Sequence, residues 1–434
     1  MKKYVFAPAP PMGFNTWDCY GAAVNETQFL AMAEVQRDRL LPYGWEYAVI
    51  DIQWYEPCAH SAAYNPFADL CMDGCSRLVP AENRFPSAAG GKGFGPIAEK
   101  IHSMGMKFGI HMLRGIPRQA VHLNTPTVTP GVTARMIAHP YSLCPWNTDM
   151  YGVDPDAPGA QAYYDSVFEM YAGWGVDFVK VDDIANTEFK PAEPYSARRE
   201  IEMIRRAIDR TGRKIVLSLS PGPAPLAEAQ HLRDHADMWR MSGDFWDRTD
   251  ALNRMFDLCA AWYPYVGDGC WPDCDMLPLG VLQLNDRDPA YRRRQSRFTK
   301  NEQVTLMNLW CLFRSPLMMG GELTLLDEFT YLLLTNRDLL AIDQASSGNR
   351  PLQINPDLAV FTCLDADRRP VFGVFNRRRE AADITVVLPL ADTAVLEDIW
   401  TKERRAVAGG ILTLRLGAFE SRVFTAVSEP VEKE

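Results

Sequence analysis

The chain has 434 residues, 47% of them hydrophobic, and a formal net charge of −10. That length exceeds one ordinary domain and suits a barrel of roughly 250–330 residues followed by a smaller domain. The acidic balance argues against nucleic acid or an anionic membrane surface as partner and favours a neutral or weakly charged substrate.

The N-terminus, from Met1 to Pro8, has two lysines but no apolar stretch long enough for a signal peptide, so a cytoplasmic location is expected. No run of about 18 apolar residues occurs, and no membrane partner is expected. Ten cysteines are scattered along the chain. The two spaced pairs, Cys71/Cys75 and Cys270/Cys274, have no His close by, so they read as reduced thiols rather than a zinc site. No metal and no cofactor is expected. Oligomeric state is left open, a homo-oligomer included.

In chain order, Phe29, Met32, Ala33 and Leu40 form a helical stripe preceded by an Asn25–Gln28 capping box. Tyr47-Ala48-Val49-Ile50-Asp51 is a short apolar run ending in a carboxylate, and Lys107-Phe108-Gly109-Ile110-His111 is another with a polar end. Tyr164, Val167, Phe168 and Tyr171 make one helical stripe, and Ile201, Ile204 and Ile208 make another. The runs Val176 to Asp182, Lys214 to Ser218 and Asp237 to Asp244 repeat the strand theme. This alternation predicts an α/β fold with about eight strand–helix units before residue 340. A (β/α)8 TIM barrel is favoured over an open sheet, because so many successive strands end in polar residues.

Beyond Asn349-Arg350-Pro351 the pattern turns to period 2. Strands are expected at 359–363, 370–375, 384–388, 411–416 and 422–425, giving an antiparallel β-sandwich. The expected domains are therefore a catalytic barrel at 1–345 and a C-terminal sandwich at 350–434. The Arg377-Arg378-Arg379 run reads as a solvated turn.

Chemistry concentrates at the strand ends. Lys180 precedes Asp182 by two residues on one strand face, where it lowers the acid's pKa as a nucleophile requires. A purely structural pair there would bury two charges at a cost of several kcal/mol. Asp244 follows a glycine at a strand end. Alone it reads equally as a helix N-cap before Phe245. Paired with Asp182 it completes the two carboxylates that glycosidases set across a scissile bond. Asp51 ends the second strand, and Asp275 lies in the loop from Cys270 to Leu277. Trp17 and Trp54 are candidate sugar platforms, with core packing as the alternative for each. His111 alone among seven histidines clearly occupies a strand end, too few ligands for a metal-dependent barrel hydrolase.

These residues resemble glycoside hydrolase family 27, within the α-galactosidase clan. The resemblance runs from Pro11 to about Val427. It rests on the runs Pro11 to Trp17, Gly44 to Asp51, Trp174 to Asp182, Trp239 to Asp244, Asp273 to Leu277, Leu340 to Gln344 and Ile399 to Thr401. It implies that Asp182 attacks the anomeric carbon and that Asp244 is the general acid/base. It further implies that Lys180, Arg240, Asp51 and Asp275 bind sugar hydroxyls and that Trp17 floors the pocket. His111, Ile52 and Ser220 join the expected substrate-binding set. A retaining mechanism would hold the two carboxyl groups about 5–5.5 Å apart.

Three departures bear on substrate. The family often has two adjacent acids after strand two, reading the 4- and 6-hydroxyls; here they are Asp51 and Ile52. An apolar residue there suits a sugar lacking the exocyclic CH₂OH, such as β-L-arabinopyranose. Ser218 and Ser220 offer small side chains, resembling the branch that accommodates a 2-acetamido group. Ile184 stands where a cysteine of the family's active-site disulfide is usual. Arg114 and Arg118 read as salt-bridged structural residues, with an anionic substituent as the alternative.

The expected function is therefore a retaining exo-hydrolase of a terminal α-galactose-type sugar. α-N-Acetylgalactosaminidase and β-L-arabinopyranosidase are the alternatives on the same scaffold. A non-catalytic carbohydrate-binding barrel is the alternative of another class, and its mark would be the loss of one carboxylate.

Overall fold

In the computed structural model residues 5–60, 62–284 and 292–427 are described. Residues 1–4, which begin the N-terminus read above as leaderless, and 428–434, which end the expected β domain, lie outside them. The chain divides into two compact units.

The first unit comprises Met1–Asp244, Asp268–Gln295 and Leu317–Leu326. It contains eight parallel strands: β1 (Met12–Asn15), β2 (Tyr47–Ile50), β3 (Lys107–Leu113), β4 (Phe178–Asp182), β5 (Val216–Leu219), β6 (Met238–Arg240), β7 (Trp271–Asp273) and β8 (Leu317–Met319). Their order is β7-β6-β5-β4-β3-β2-β1-β8. The circle closes just beyond β7, where the Leu277 N–H donates to Met318 O and Leu277 O accepts from Gly320 N–H. A parallel strand covered on both faces must be apolar throughout, and β1, β2, β5 and β8 are buried at every residue.

Helices α1 (Glu26–Val35), α2 (Gly95–Ser103), α3 (Ala160–Trp174), α4 (Arg198–Thr211) and α5 (Ala229–His235) lie between these strands in the chain. The expected capping box is formed: Asn25 accepts from Gln28 N–H while Gln28 accepts from Asn25 N–H. The predicted stripes of α3 and α4 are the buried faces of both helices. One feature was not foreseen. After β3 the chain inserts a small antiparallel sheet of Ile116–Pro117, Ala138–Leu143 and Met150–Val153.

The second unit comprises Phe245–Gly267, Ser296–Pro316 and Asp327–Glu434. It takes in helices α6 (Thr249–Trp262) and α7 (Lys300–Phe313) with the C-terminal strands. Those strands are β9 (Ser347–Ile354), β10 (Leu358–Leu364), β11 (Pro370–Asn376), β12 (Ala382–Val387), β13 (Thr393–Asp398), β14 (Arg404–Ala408), β15 (Ile411–Leu416) and β16 (Ser421–Val427). They form one antiparallel sheet in the order β9-β10-β11-β16-β13-β14-β15-β12. The sheet folds over itself, since Val360, Phe372, Val374 and Phe424 share a core with Ile384, Leu412, Leu414 and Leu416.

Strands β9, β13 and β14 were not expected. β9 is a bulged edge strand with mostly exposed residues, so it lacks the alternation that marks a strand. The solvated turn expected at Arg377-Arg378-Arg379 needs correction. Arg377 is buried, donating to Asn253 Oδ1 (2.8 Å) and Asn253 O (2.9 Å) and pairing with Asp257 (3.1 Å). A buried guanidinium needs such partners, and α6 supplies them.

Close strand approach fixes one glycine. A Cβ at Gly13 would stand 2.1 Å from Tyr47 O on the neighbouring strand. Gly13→Ala should lower the chemical-denaturation midpoint by the equivalent of about 3 kcal/mol or more. Gly74→Ala, where nothing lies within 4 Å, should shift it by less than about 0.5 kcal/mol. Equal midpoints for the two variants would contradict the β1–β2 packing.

Candidate active site

The strands of the first unit end at one rim, and their last residues build the site. Asp51 follows β2 directly and is almost wholly buried. Its Oδ2 accepts from Asn15 Nδ2 (2.6 Å) at the end of β1 and from Lys180 Nζ (2.9 Å) on β4. Its Oδ1 accepts from the Ile52 N–H (2.8 Å). Asp182 ends β4. Its Oδ2 lies 3.6 Å from Lys180 Nζ and 2.8 Å from His111 Nε2 on β3. His111 Nδ1 faces no hydrogen-bond partner, which puts the ring proton on Nε2, where it is donated to Asp182.

Two buried carboxylates thus share one ammonium. Burial works to raise both pKa values. The Lys180 ammonium outweighs it, aided by His111 and, for Asp182, by a hydrogen bond from Ser220. Both acids are held below the usual carboxylate range. Burial works to lower the Lys180 pKa, but Asp51 and Asp182 together push it above the usual ammonium range.

A second charge group forms around Arg240 at the end of β6. Its Nη2 lies 2.5 Å from Asp275 Oδ2 and 3.4 Å from Asp244 Oδ1, and it donates to Gly243 O (2.7 Å). Asp275 sits at φ +83°, with its Oδ1 accepting from Met276 N–H (2.7 Å) and its own N–H donating to Asp273 Oδ1 (2.8 Å). The two acids singled out in the sequence differ sharply in exposure. The Asp182 side chain is 10% exposed and that of Asp244 is 61% exposed.

The aromatic expectation is resolved. Trp54 is fully buried, packs edge-on to Phe94 and Trp174, and donates its Nε1–H to His111 O (2.7 Å), so it is core rather than platform. Trp17 is half-buried and stacks on Tyr64, with ring centres 6.0 Å apart and planes at 23°. Tyr64 in turn packs on Trp146. Burial pushes the Tyr64 hydroxyl's pKa far up, and Asp182, Asp51 and Asp244 add to it electrostatically. Both charge groups therefore face this one aromatic wall.

Sequence reasoning missed Tyr64, Trp146 and Asn15, and also Asp18. The Asp18 Oδ2 is buried without a hydrogen bond, packed where any side chain at position 320 would stand. Burial, reinforced by Asp275, raises its pKa well above the ordinary value. The sequence signal for Asn15 and Asp18 is their placement near Trp17 and for Tyr64 the loop after Asp51, whereas Trp146 lies in the insertion after β3 and has none.

Arg114 is structural, as first read. It pairs with Asp183 (2.8 Å) and Glu200 (3.0 Å) and donates to Asp183 O and Ser142 O. Arg118 donates to Thr148 O (2.8 Å) and covers the Phe67 ring. All ten cysteines are free, Cys144 among them. Asp51, His111 and Asp182 each offer a ligand atom within 4.8 Å of the others. The Lys180 ammonium already stands 2.9 Å from Asp51 and 3.6 Å from Asp182, so a metal ion on this donor set would meet a fixed cation.

A closed parallel barrel with buried acids, a lysine, an arginine and an aromatic wall at its strand ends defines a sugar-cleaving barrel enzyme. A family profile described as Alpha galactosidase A matches residues 154–345. The β-L-arabinopyranosidase of glycoside hydrolase family 27 from Geobacillus stearothermophilus shares 51% identity, covering 99% of this chain and 98% of that one, with a TM-score of 0.94. A variant of it in complex with arabinose gives 50% identity, 98% coverage of both chains and a TM-score of 0.95. A candidate α-N-acetylgalactosaminidase from Bacillus halodurans shares 45% identity over 99% of both chains, with a TM-score of 0.88. The Arabidopsis thaliana protein Alpha-galactosidase 2 is 25% identical over 406 residues, 91% of this chain and 83% of its own length. The chain belongs to glycoside hydrolase family 27 and is a glycosidase.

Lys180→Met tests the shared ammonium. In the wild type, the depressed carboxyl pKa values give stability that is present above about pH 4 and lost as pH falls through the folded values. Without the lysine, burial is opposed only by His111 and the hydrogen bonds from Asn15 and Ser220, and stability should instead be lost as pH rises above about 4. The Tm gap between wild type and Lys180→Met should therefore widen from pH 3 to pH 7. At pH 7 it should correspond to about 3–5 kcal/mol. A gap that does not change with pH would refute the shared-ammonium account.

Proposed function

We propose that this glycosidase is a retaining exo-hydrolase that removes terminal β-L-arabinopyranose, with Asp182 as nucleophile and Asp244 as general acid/base. The observation that carries the sugar reading is Ile52. It is buried and follows Asp51 directly, at the place where the family resemblance leads one to expect a second acid for the 6-hydroxyl. An aliphatic side chain there offers nothing to an exocyclic CH₂OH and suits a pyranose that lacks it. The name of the Geobacillus stearothermophilus relative supports the same sugar.

The chemistry follows from the two charge groups. His111 and Lys180 hold Asp182 Oδ2, so Oδ1 is the oxygen that attacks. Asp182 Oδ1 bonds to the anomeric carbon as the glycosidic bond breaks, and the Asp244 carboxylic acid gives its proton to the leaving oxygen. The Asp244 carboxylate then takes a proton from water, the water oxygen bonds to the anomeric carbon, and Asp182 leaves. Asp51, Lys180, Arg240 and Asp275 hold sugar hydroxyls, and Trp17 carries the apolar ring face.

A second reading, cleavage of a 2-acetamido sugar, is favoured by the small Ser218 and Ser220. Ser220 is already accounted for by its hydrogen bond to Asp182.

A panel of nitrophenyl glycosides separates these readings. The β-L-arabinopyranoside should exceed the α-D-galactopyranoside and the α-N-acetylgalactosaminide in kcat/KM by at least about tenfold. Preference for either of the other two would overturn the sugar assignment. Ile52→Asp should move the arabinoside-to-galactoside ratio toward galactoside by about tenfold or more. Asp182→Asn should lower kcat by about 10³-fold or more with the fold intact, and near-normal turnover would remove it as nucleophile.

A further inference from the structure

Away from the strand ends, three side chains on the outer helices form a cluster that the glycosidase chemistry does not use. His231 and His235 are one turn apart on α5, and Glu202 lies on α4. One donor atom from each falls within 4.8 Å of the other two. We propose that Glu202, His231 and His235 form a binding site for one divalent transition-metal ion of the zinc type, independent of catalysis.

The ring orientations carry the argument. His235 Nδ1 lies 2.8 Å from His231 O, a group that only accepts, so that nitrogen bears the proton and Nε2 keeps its lone pair. His231 Nδ1 lies 2.8 Å from the Tyr195 hydroxyl, and its Nε2 lies 3.1 Å from Glu202 Oε1. Metal-ligating imidazoles are typically oriented in this way, by a carbonyl or hydroxyl on the far nitrogen. The two rings lie 4.1 Å apart between centres, inclined by 31°. Bonds of about 2.0–2.2 Å to zinc place tetrahedral ligand atoms roughly 3.3 Å apart, which small side-chain movements reach here.

Charge is compatible as well. Arg198 lies 3.9 Å from Glu202 Oε1 but pairs more closely with Glu228 (2.8 Å). The two acids and one arginine leave a net negative patch beside two imidazoles. Two nitrogens and one carboxylate oxygen suit zinc or its neighbours rather than magnesium or calcium, which prefer oxygen.

The test uses the full chain, stripped with chelator and titrated with zinc chloride by calorimetry. Wild type should take up one equivalent with a Tm rise of about 2 °C or more, and magnesium should give neither. His235→Ala and Glu202→Gln should each bind zinc at least about tenfold more weakly while keeping wild-type glycosidase turnover, which also reports their folding. No zinc uptake by wild type would overturn the proposal. So would undiminished uptake by the two variants, which would place the metal on thiols elsewhere.

Discussion

The site depends on one ammonium placed between two carboxylates that have lost their water. Lys180 alternates with Asp182 on the same strand, so the pleat fixes their side chains on one face. The barrel's curvature brings Asp51 from two strands away to the same nitrogen. An ion pair so deeply buried rarely stabilises a fold by itself, since the desolvation of both partners consumes the attraction between them. Its consequence is chemical. It keeps a buried acid ionised, which an isolated carboxylate in that position would not be. His111 and Ser220, from the strands on either side, add hydrogen bonds that only the charged form of Asp182 can accept on both sides. Groups from three neighbouring strands thus bear on the state of one carboxylate.

Arg240 organises the opposite side by a different balance. It is more deeply buried than Lys180 and shares its charge between an enclosed acid, Asp275, and a solvated one, Asp244. In the proposed mechanism the contrast in exposure between Asp182 and Asp244 separates two tasks. A nucleophile must stay charged without help from water, whereas a group that gives and takes protons must reach it. Burial also raises the pKa of Asp18, which packs against Gly320.

What was legible in the sequence follows from periodicity. Parallel strands sheathed by helices are apolar runs that break at a polar residue, so Asp51 and Asp182 stood out by position, whereas β3 runs two residues past His111 and β6 stops at Arg240, four residues before Asp244. The helical stripes and the Asn25–Gln28 box were readable for the same reason. The aromatic wall was not, because Tyr64 and Trp146 come from connecting segments whose side chains obey no period. Trp54 illustrates the reverse error: it looks like Trp17 in the sequence, and only the ring packing of Phe94 and Trp174 shows it to be core. Arg377 was misread for want of α6, whose Asn253 and Asp257 are remote in the chain. Asp18 packs where a side chain at Gly320 would stand, and no local pattern reports a contact of that span.

Ile184 removes half of the disulfide expected near Asp182, and Arg114 ties the same segment together by other means. Its backbone N–H donates to Asp182 O, and its Nε–H donates to Asp183 O (2.5 Å). Glu200 on α4 holds one end of the guanidinium and also accepts from Tyr164 OH (2.6 Å) and Val153 N–H (3.0 Å). One planar cation therefore ties the end of β4 to a helix and to the inserted sheet. A disulfide would link two points and depend on the oxidation state of its thiols. A fully partnered guanidinium links several points and does not, at the cost of needing every partner in place. The same electrostatic logic that keeps Asp182 charged from one side thus holds its backbone still from the other.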